Sequence, residues 1–287
     1  MPRQKCFLGI DKGTSTVKAV VFSERGEELA TAEQRLNPVR ENPEWLEENM
    51  DEVWQYTCQV IAGALVLANR EHSVSASDIA AVGISGHIAG AWLVDRGGSP
   101  VRTAISWADG RALDIVEKWR SDGTSDEIFS ISGSIAMPGL TVSVLRWLKD
   151  NEPATLDNTH KVLCAKDWLR FCLTGVMGTE ESDVSAMPGD IANRSYSNSL
   201  LKICGIDDLE DKLPSILPSG DIVGYVTANA ARQTGLKEGT PVIGGLCDVA
   251  ASTIGAGGLS PGEAVSIAGS SFLNCVILDR VKLEPMN

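Results

Sequence analysis

The chain has 287 residues, of which 43% are hydrophobic and 22% charged, so it is long and apolar enough for one large or two small globular domains. Its formal net charge of −13 disfavours nucleic acid and anionic membranes as partners. The seven cysteines form no C-x-x-C pair, and no apolar run has the length of a signal peptide or a membrane span. We therefore expect a cytoplasmic protein, in a reducing compartment, without a nucleic-acid or membrane partner.

In chain order, the pattern predicts strands first and helices later. A capping box at Asn49 and Glu52 begins a first helix with apolar residues at helical spacing. The predicted strands cover residues 5–10, 17–22, 28–36, 79–85, 91–95, 161–164, 223–227, 241–244, 263–268 and 272–278. The further predicted helices cover residues 109–120, 126–132, 140–149, 166–173, 198–204 and 228–234, and a last one begins at residue 248. This order favours an α/β domain with a mixed sheet and a helical insertion.

The first hairpin carries a candidate phosphate site. An apolar strand ends in Asp11, and Gly13, Thr14 and Ser15 form the turn that follows. Such a turn offers backbone N–H groups and hydroxyls to a phosphate, and Asp11 can hold a hydrated Mg²⁺ against it, which points to ATP. The alternative is an ordinary hairpin in which Gly13 allows positive φ and the two hydroxyls satisfy turn amides.

A second motif is the glycine-rich segment 83–90, which carries His87 where a predicted strand ends. Turns at strand ends are common positions for ligand contacts in α/β folds. The alternative is a β-turn with an exposed histidine.

A third motif brings Trp107, Asp109 and Arg111 to one strand-to-helix junction. An indole face with a carboxylate is typical of carbohydrate sites, because the apolar face of a sugar packs on the ring while its hydroxyls bind the acid. The alternative is a core tryptophan, an N-cap aspartate and a surface arginine.

A fourth motif places Asp248 where a glycine-rich loop enters a helix of small residues. We expect the positive end of the helix dipole to keep this carboxylate ionised, as a base for a hydroxyl proton in phosphoryl transfer requires. A simple N-cap is the alternative. The turn Gly269-Ser270-Ser271 repeats the pattern of the first hairpin and is a second candidate phosphate site, with a plain turn as its alternative.

In this order and spacing, these segments resemble the FGGY family of carbohydrate kinases, which have the actin/hexokinase-like (ribonuclease H-like) ATPase fold. The segments that carry the resemblance are residues 11–15, 85–90, 107–111, 179–185, 244–248 and 268–271. The resemblance implies ATP-dependent phosphorylation of a primary hydroxyl of a small sugar. The sugar loop departs from the Gln-Met-His-Gly version of D-xylulose kinases, and its surroundings are more similar to L-xylulose and erythritol kinases. The implied substrate is therefore a ketopentose or a small polyol.

The resemblance also implies roles for individual residues. Asp248 would be the general base, and Asp11 the second catalytic residue and the Mg²⁺ ligand. The residues implied to bind the ATP cofactor are Gly13, Thr14, Ser15, Lys18, Gly269, Ser270 and Ser271. The residues implied to bind the sugar are His87, Ile88, Trp107, Asp109, Arg111 and Asp248.

Members of the family carry a second ATPase-like domain that supplies the adenosine site. By that comparison, residues 1–258 would be the N-terminal sugar-binding and catalytic domain, and residues 259–287 the start of a truncated nucleotide-binding domain. We expect such a chain to be weakly active or inactive, because phosphoryl transfer depends on positioning between two closing lobes. A catalytically silent sugar-binding module and a nucleotide hydrolase of the same fold are the alternatives, and a homodimer is left open.

Overall fold

The computed structural model describes residues 5–268, 272–281 and 283. Its strands are β1 (Cys6–Lys12), β2 (Thr16–Ser23), β3 (Glu28–Arg35), β4 (Glu47–Glu48), β5 (Ile79–Gly86), β6 (Trp92–Val94), β7 (Ala104–Ile105), β8 (Lys161–Leu163), β9 (Thr179–Glu180), β10 (Gly189–Asp190), β11 (Ser195–Tyr196), β12 (Ile216–Leu217), β13 (Ile222–Tyr225), β14 (Pro241–Ile243), β15 (Leu246–Cys247), β16 (Ala264–Ala268) and β17 (Phe272–Val276). Its α-helices are α1 (Met50–His72), α2 (Leu113–Ser121), α3 (Thr124–Ser132), α4 (Thr141–Asn151), α5 (Pro153–Asn158), α6 (Ala165–Thr174), α7 (Glu181–Val184), α8 (Asn198–Ile203), α9 (Ala228–Thr234) and α10 (Asp248–Gly255).

The central sheet is mixed, as the sequence predicts. Its strand order is β13-β14-β5-β1-β2-β3, and β15 also pairs with β5. The β1–β2–β3 segment is an antiparallel meander, whereas β1, β14 and β15 all run parallel to β5. The carboxyl ends of β1 and β5 therefore meet at one edge of the sheet, where Asp11 lies beside Ser85.

The two faces of the sheet have different environments. Leu8 and Ile10 of β1 and Ala19 and Val21 of β2 are buried against a layer formed by α1, α6 and α9. Because successive side chains of a strand point to opposite faces, Asp11 is directed away from this core. The face with Asp11 is thus left for the candidate site.

The predicted helical insertion corresponds to α2, α3, α4, α5 and α8, which surround a second hydrophobic core. Leu145, Leu148 and Leu200 are fully buried there. Within the part of the chain that the structure describes, none of the helices has the length and apolar character needed to cross a membrane.

Most predicted boundaries agree with the structure to within two residues, but the helix predicted at residue 109 begins at Leu113. Asp109 instead accepts hydrogen bonds from the backbone N–H groups of Leu46 and Arg111, and Gly110 donates to the carbonyl of Glu44. These contacts hold the chain in a turn, so the N-cap alternative for Asp109 is wrong. The short strands β4, β7 and β9 to β12 and the short helices α5 and α7 were not predicted.

Candidate active site

A cavity of about 750 Å³ opens on the face of the sheet that carries Asp11. Its lining brings together Asp11 of β1, Thr14 of the β1–β2 turn, Ser85 of β5, Trp107 from the segment after β7 and Asp248 at the start of α10. The lining also includes the apolar side chains of Val20, Phe22 and Ile243. Five residues from the four predicted motifs thus share one cavity.

Asp11 is the second-last residue of β1 and lies directly opposite Ser85 of the parallel strand β5. The Ser85 hydroxyl donates a hydrogen bond of 2.7 Å to Oδ1 of Asp11 and fixes the orientation of the carboxylate. The neighbouring Gly13 does not adopt positive φ, so the alternative in which this glycine is required by a left-handed turn is wrong.

Trp107 connects the predicted sugar side of the cavity to the predicted phosphate side. Its indole Nε1 donates a hydrogen bond of 2.8 Å to Oγ1 of Thr14. The indole N–H is a donor only, so Thr14 accepts from it and keeps its own hydroxyl proton for another partner. The alternative of a plain core tryptophan is wrong, because Trp107 is half-buried and lines the cavity.

Asp248 is the first residue of α10, and the N-cap position belongs to Cys247, so the N-cap alternative for Asp248 is wrong. Burial raises the pKa of the Asp248 carboxyl above its ordinary value, and the charge of Asp11 acts in the same direction. His87 and the backbone N–H of Val249, which donates to Oδ1 at 2.8 Å, act in the opposite direction. Burial therefore outweighs the helix N-terminus that was expected to favour the ionised form, and it makes this carboxylate a better proton acceptor.

His87 is buried, so the alternative of an exposed turn histidine is wrong. Its Nε2 lies 3.1 Å from Nζ of Lys12 and 3.2 Å from Oε1 of Glu48, and Lys12 and Glu48 form a close ion pair. Burial lowers the pKa of Lys12, although the charge of Glu48 opposes this effect. The motifs of the sequence did not predict this cluster, although the strand alternation that buries Leu8 and Ile10 also directs Lys12 inward.

Asp109 and Arg111 are both buried, and they bind each other rather than the cavity. Arg111 donates from Nε to Oδ1 of Asp109 at 2.8 Å and from Nη2 to Oδ2 at 2.9 Å. Nη2 also donates to Glu47, and the guanidinium lies 4.2 Å from the ring centroid of Trp45 and 5.0 Å from that of Trp147. The surface alternative for Arg111 is wrong, and a sugar-binding role for this pair stays a prediction.

The remaining predicted residues lie at the margin of the cavity or beyond it. Lys18 faces Asp11 across the β1–β2 pair, but its ammonium lies 3.3 Å from Glu33 and both side chains are largely exposed. Ser15 is exposed in the turn, and half-buried Ile88 packs against the second core. Gly269, Ser270 and Ser271 lie outside the described residues, so the second phosphate site stays a prediction.

The donor set of the cavity fits Mg²⁺. This ion prefers oxygen ligands and keeps several of its waters, and the carboxylates of Asp11 and Asp248 are such ligands on one wall. A second acidic cluster, formed by Cys164, Asp167 and Asp183, does not fit a metal ion. The ammonium of Lys166 lies 2.8 Å from Asp167 and 2.7 Å from Asp183. Lys166 therefore already supplies the positive charge that a metal ion would bring to these carboxylates.

Comparison with known proteins identifies the family. Residues 6–255 match the profile of the N-terminal domain of the FGGY family of carbohydrate kinases. The chain belongs to this family. The FGGY domain is 37% identical over 249 residues to a probable L-xylulose kinase of Haemophilus influenzae, which covers 86% of this chain and 50% of that protein. It is also 37% identical over 255 residues to the L-xylulose/3-keto-L-gulonate kinase of Escherichia coli, covering 88% of this chain and 50% of the relative.

Solved structures confirm the actin/hexokinase-like fold of the FGGY domain. The crystal structure of xylulose kinase from Rhodospirillum rubrum superposes with a TM-score of 0.89 at 26% identity, over 98% of this chain and 57% of that one. That of Plasmodium falciparum glycerol kinase with ADP superposes with a TM-score of 0.86 at 20% identity, over 95% and 54% of the two chains, and shows the fold alone. The chain spans about half the length of the relatives it matches.

Proposed function

We propose that this FGGY domain binds a small sugar or polyol in its cavity and presents a primary hydroxyl of that substrate for phosphorylation by ATP. The observation that carries the proposal is the convergence of Asp11 and Asp248 with the Trp107 indole on one cavity wall. The apolar face of a sugar can pack on an indole ring. One carboxylate can accept the hydroxyl proton, and the other can bind a cation. Asp109 and Arg111 would hold the turn that follows Trp107 in place through their hydrogen bonds to each other.

Mg-ATP would supply the phosphoryl group and the cation that neutralises charge on its oxygens. Asp248 would accept a hydrogen bond from the substrate hydroxyl and then take its proton at a carboxylate oxygen. Because such transition states are loose, its orienting role matters at least as much as its basicity. Asp11, held by Ser85, would offer an oxygen to the cation or to a water bound to it. Thr14 would donate its hydroxyl proton to a phosphate oxygen while it accepts from Trp107.

The proposed substrate class is a ketopentose or a small polyol. The similar proteins of Haemophilus influenzae and Escherichia coli are named as L-xylulose kinases, and a kinase of Brucella abortus that is 31% identical is named for erythritol. His87 and Ile88, which were predicted to bind the sugar, differ in chemistry, one with an imidazole and one with an alkyl side chain, and both stay candidates for contacts that select among these sugars.

Ligand-dependent thermal unfolding of the 287-residue chain tests the proposal. Ketopentoses, pentitols, erythritol and glycerol would each be added with and without Mg-ATP. We expect one sugar class to raise the unfolding temperature by roughly 5–10 °C at a hundredfold excess over its dissociation constant. Stabilisation by Mg-ATP with no response to any sugar would contradict the proposal and favour a nucleotide hydrolase.

The variant Asp248→Asn keeps the shape of the side chain but removes the charge that would hold the hydroxyl. We expect it to weaken sugar binding in the same measurement. The matched control is Asp150→Asn, because Asp150 is exposed on α4 and binds Arg146. Equal sugar binding by both variants would remove Asp248 from the sugar site.

A further inference from the structure

A group of buried charged residues contacts the Asp248 loop, the segment of residues 244–247 that directly precedes Asp248. Lys166, at the start of α6, places its ammonium 2.8 Å from Asp167, 3.3 Å from Glu180 and 2.7 Å from Asp183. These side chains are fully buried. Charges are costly to bury, and removing one partner of such a group is strongly destabilising. Their contacts with the neighbouring backbone indicate what the group does.

Arg170 of the same helix holds the beginning of the Asp248 loop. Its guanidinium lies 3.0 Å from Asp167 and donates from Nη1 to the carbonyl oxygen of Gly244 at 2.6 Å. Nη2 donates at 2.5 Å to the carbonyl oxygen of Gly178. Gly244 directly follows β14 and lies between β14 and β15. The fully buried guanidinium of Arg170 therefore fixes the position of the chain at the end of β14.

Ser182 holds the other end of the loop. Its Oγ accepts a hydrogen bond of 2.8 Å from the backbone N–H of Cys247, and it donates to Oε1 of Glu180. Cys247 is the N-cap residue of α10 and directly precedes Asp248. A backbone N–H is a donor only and an ionised carboxylate is an acceptor only, so the hydroxyl between them has one allowed orientation.

Glu180 joins both ends. Its Oε2 accepts a hydrogen bond of 2.8 Å from the hydroxyl of Ser219, whose carbonyl oxygen accepts from the backbone N–H of Gly245 at 2.9 Å. The ammonium of Lys166 lies 3.3 Å from Oε1 of Glu180, so the side chain that accepts from these two hydroxyls also has a buried cation beside it. The buried charges are thus connected to three residues that precede Asp248, namely Gly244, Gly245 and Cys247.

We propose that Ser182 is a positioning residue for Asp248, and that Glu180 acts through it by fixing the direction of its hydroxyl. The inference rests on the proposed function, since Asp248 matters only if it meets the substrate hydroxyl. Reacting groups have to be held to within about 0.5 Å, and a misplacement of about 1 Å can cost roughly a hundredfold in rate. A single hydroxyl next to Cys247 is therefore well placed to affect the reaction without touching the substrate.

The test compares Ser182→Ala with Ser185→Ala and Ser182→Thr. Ser185 is the C-cap residue of α7, the helix that contains Ser182, but its hydroxyl donates to the carbonyl oxygen of Ser182 at 2.9 Å and not to the backbone of Cys247. Threonine keeps the hydroxyl of residue 182. We expect Ser182→Ala to speed amide exchange at Cys247 and to weaken sugar binding, each by about tenfold or more, whereas the other two variants stay near the wild-type protein.

Amide exchange at Cys247 of the ligand-free chain separates this inference from the proposed function, because it reports the hydrogen bond from this N–H to the Ser182 hydroxyl without any substrate. Unchanged exchange at Cys247 in Ser182→Ala would overturn the inference. An absence of sugar binding by every variant, the wild-type chain included, would overturn the proposed function, while the exchange rate at Cys247 still decides the role of Ser182.

Discussion

Glu48→Gln is the substitution for which the structure gives the sharpest expectation. It keeps the size of the side chain but removes the charge that pairs with Lys12, whose side chain is 0% exposed. Breaking a buried ion pair on one side leaves the other charge uncompensated and costs about 3–5 kcal/mol. We therefore expect the free energy of unfolding to fall by that amount at neutral pH.

The pKa of Glu48 gives a second, independent value for this loss in the free energy of unfolding. Burial opposes its ionised form, but the charge of Lys12 and the contact with His87 outweigh this effect and lower its pKa from 4.5 to about 2. A decrease of that size corresponds to about 3 kcal/mol. Because the folded-state pKa lies below that of the unfolded chain, this stability is complete above about pH 4.5 and is lost as the pH falls towards 2.

Urea unfolding of the wild-type and Glu48→Gln chains, followed by tryptophan fluorescence between pH 3 and 9, measures both effects. The control is Glu33→Gln, since the Lys18–Glu33 pair is 3.3 Å apart but largely exposed and should contribute little. In Glu48→Gln, we also expect stability to recover as the pH rises, because the buried Lys12 then loses its proton. A loss below about 1 kcal/mol at neutral pH would refute the reasoning.

Two further predictions concern the cavity wall. Gly245→Ala should destabilise the chain by about 2 kcal/mol or more and weaken sugar binding, because φ is +87° and the added Cβ would lie 2.2 Å from the carbonyl oxygen of Ile84. Gly239→Ala, with φ of +81° but open space, is its control in urea unfolding, and equal losses would show that the close approach is unimportant. Trp107→Phe keeps an aromatic face but loses the N–H that reaches Thr14, so calorimetry should show weaker sugar binding with a stability loss of about 1 kcal/mol. Unchanged affinity would show that the hydrogen bond from Trp107 to Thr14 does not support sugar binding.

Local signals predicted those elements whose ends are determined by nearby residues. The side chain of Asn49 accepts a hydrogen bond from the N–H of Glu52 at the start of α1, as the capping box indicates. Gly175 closes α6 in the left-handed conformation, and α9 has the predicted bounds. In each case the deciding contact lies within four residues, where a sequence pattern can report it.

The sequence did not predict features determined by distant contacts. Asp109 looks like a helix N-cap, yet its Oδ2 accepts from the backbone N–H of Leu46, which holds the chain in a turn. The Lys12–Glu48–His87 cluster and the contact of Ser182 with Cys247 join segments far apart in sequence. Strand alternation marks Lys12 as an inward residue, but no local pattern shows which distant side chains it meets there.

The position of β5 between β1 and β14 has a consequence for the order in which the protein folds. The β1–β3 meander and α1 can form early, because their contacts are local. The pairing of Val82 with Val242 instead closes a loop of more than half the chain, and such pairings form slowly. Until it forms, Asp11 and the loop with Asp248 do not share a wall. A ligand of this cavity would therefore bind only to chains in which β14 and β15 have already paired with β5.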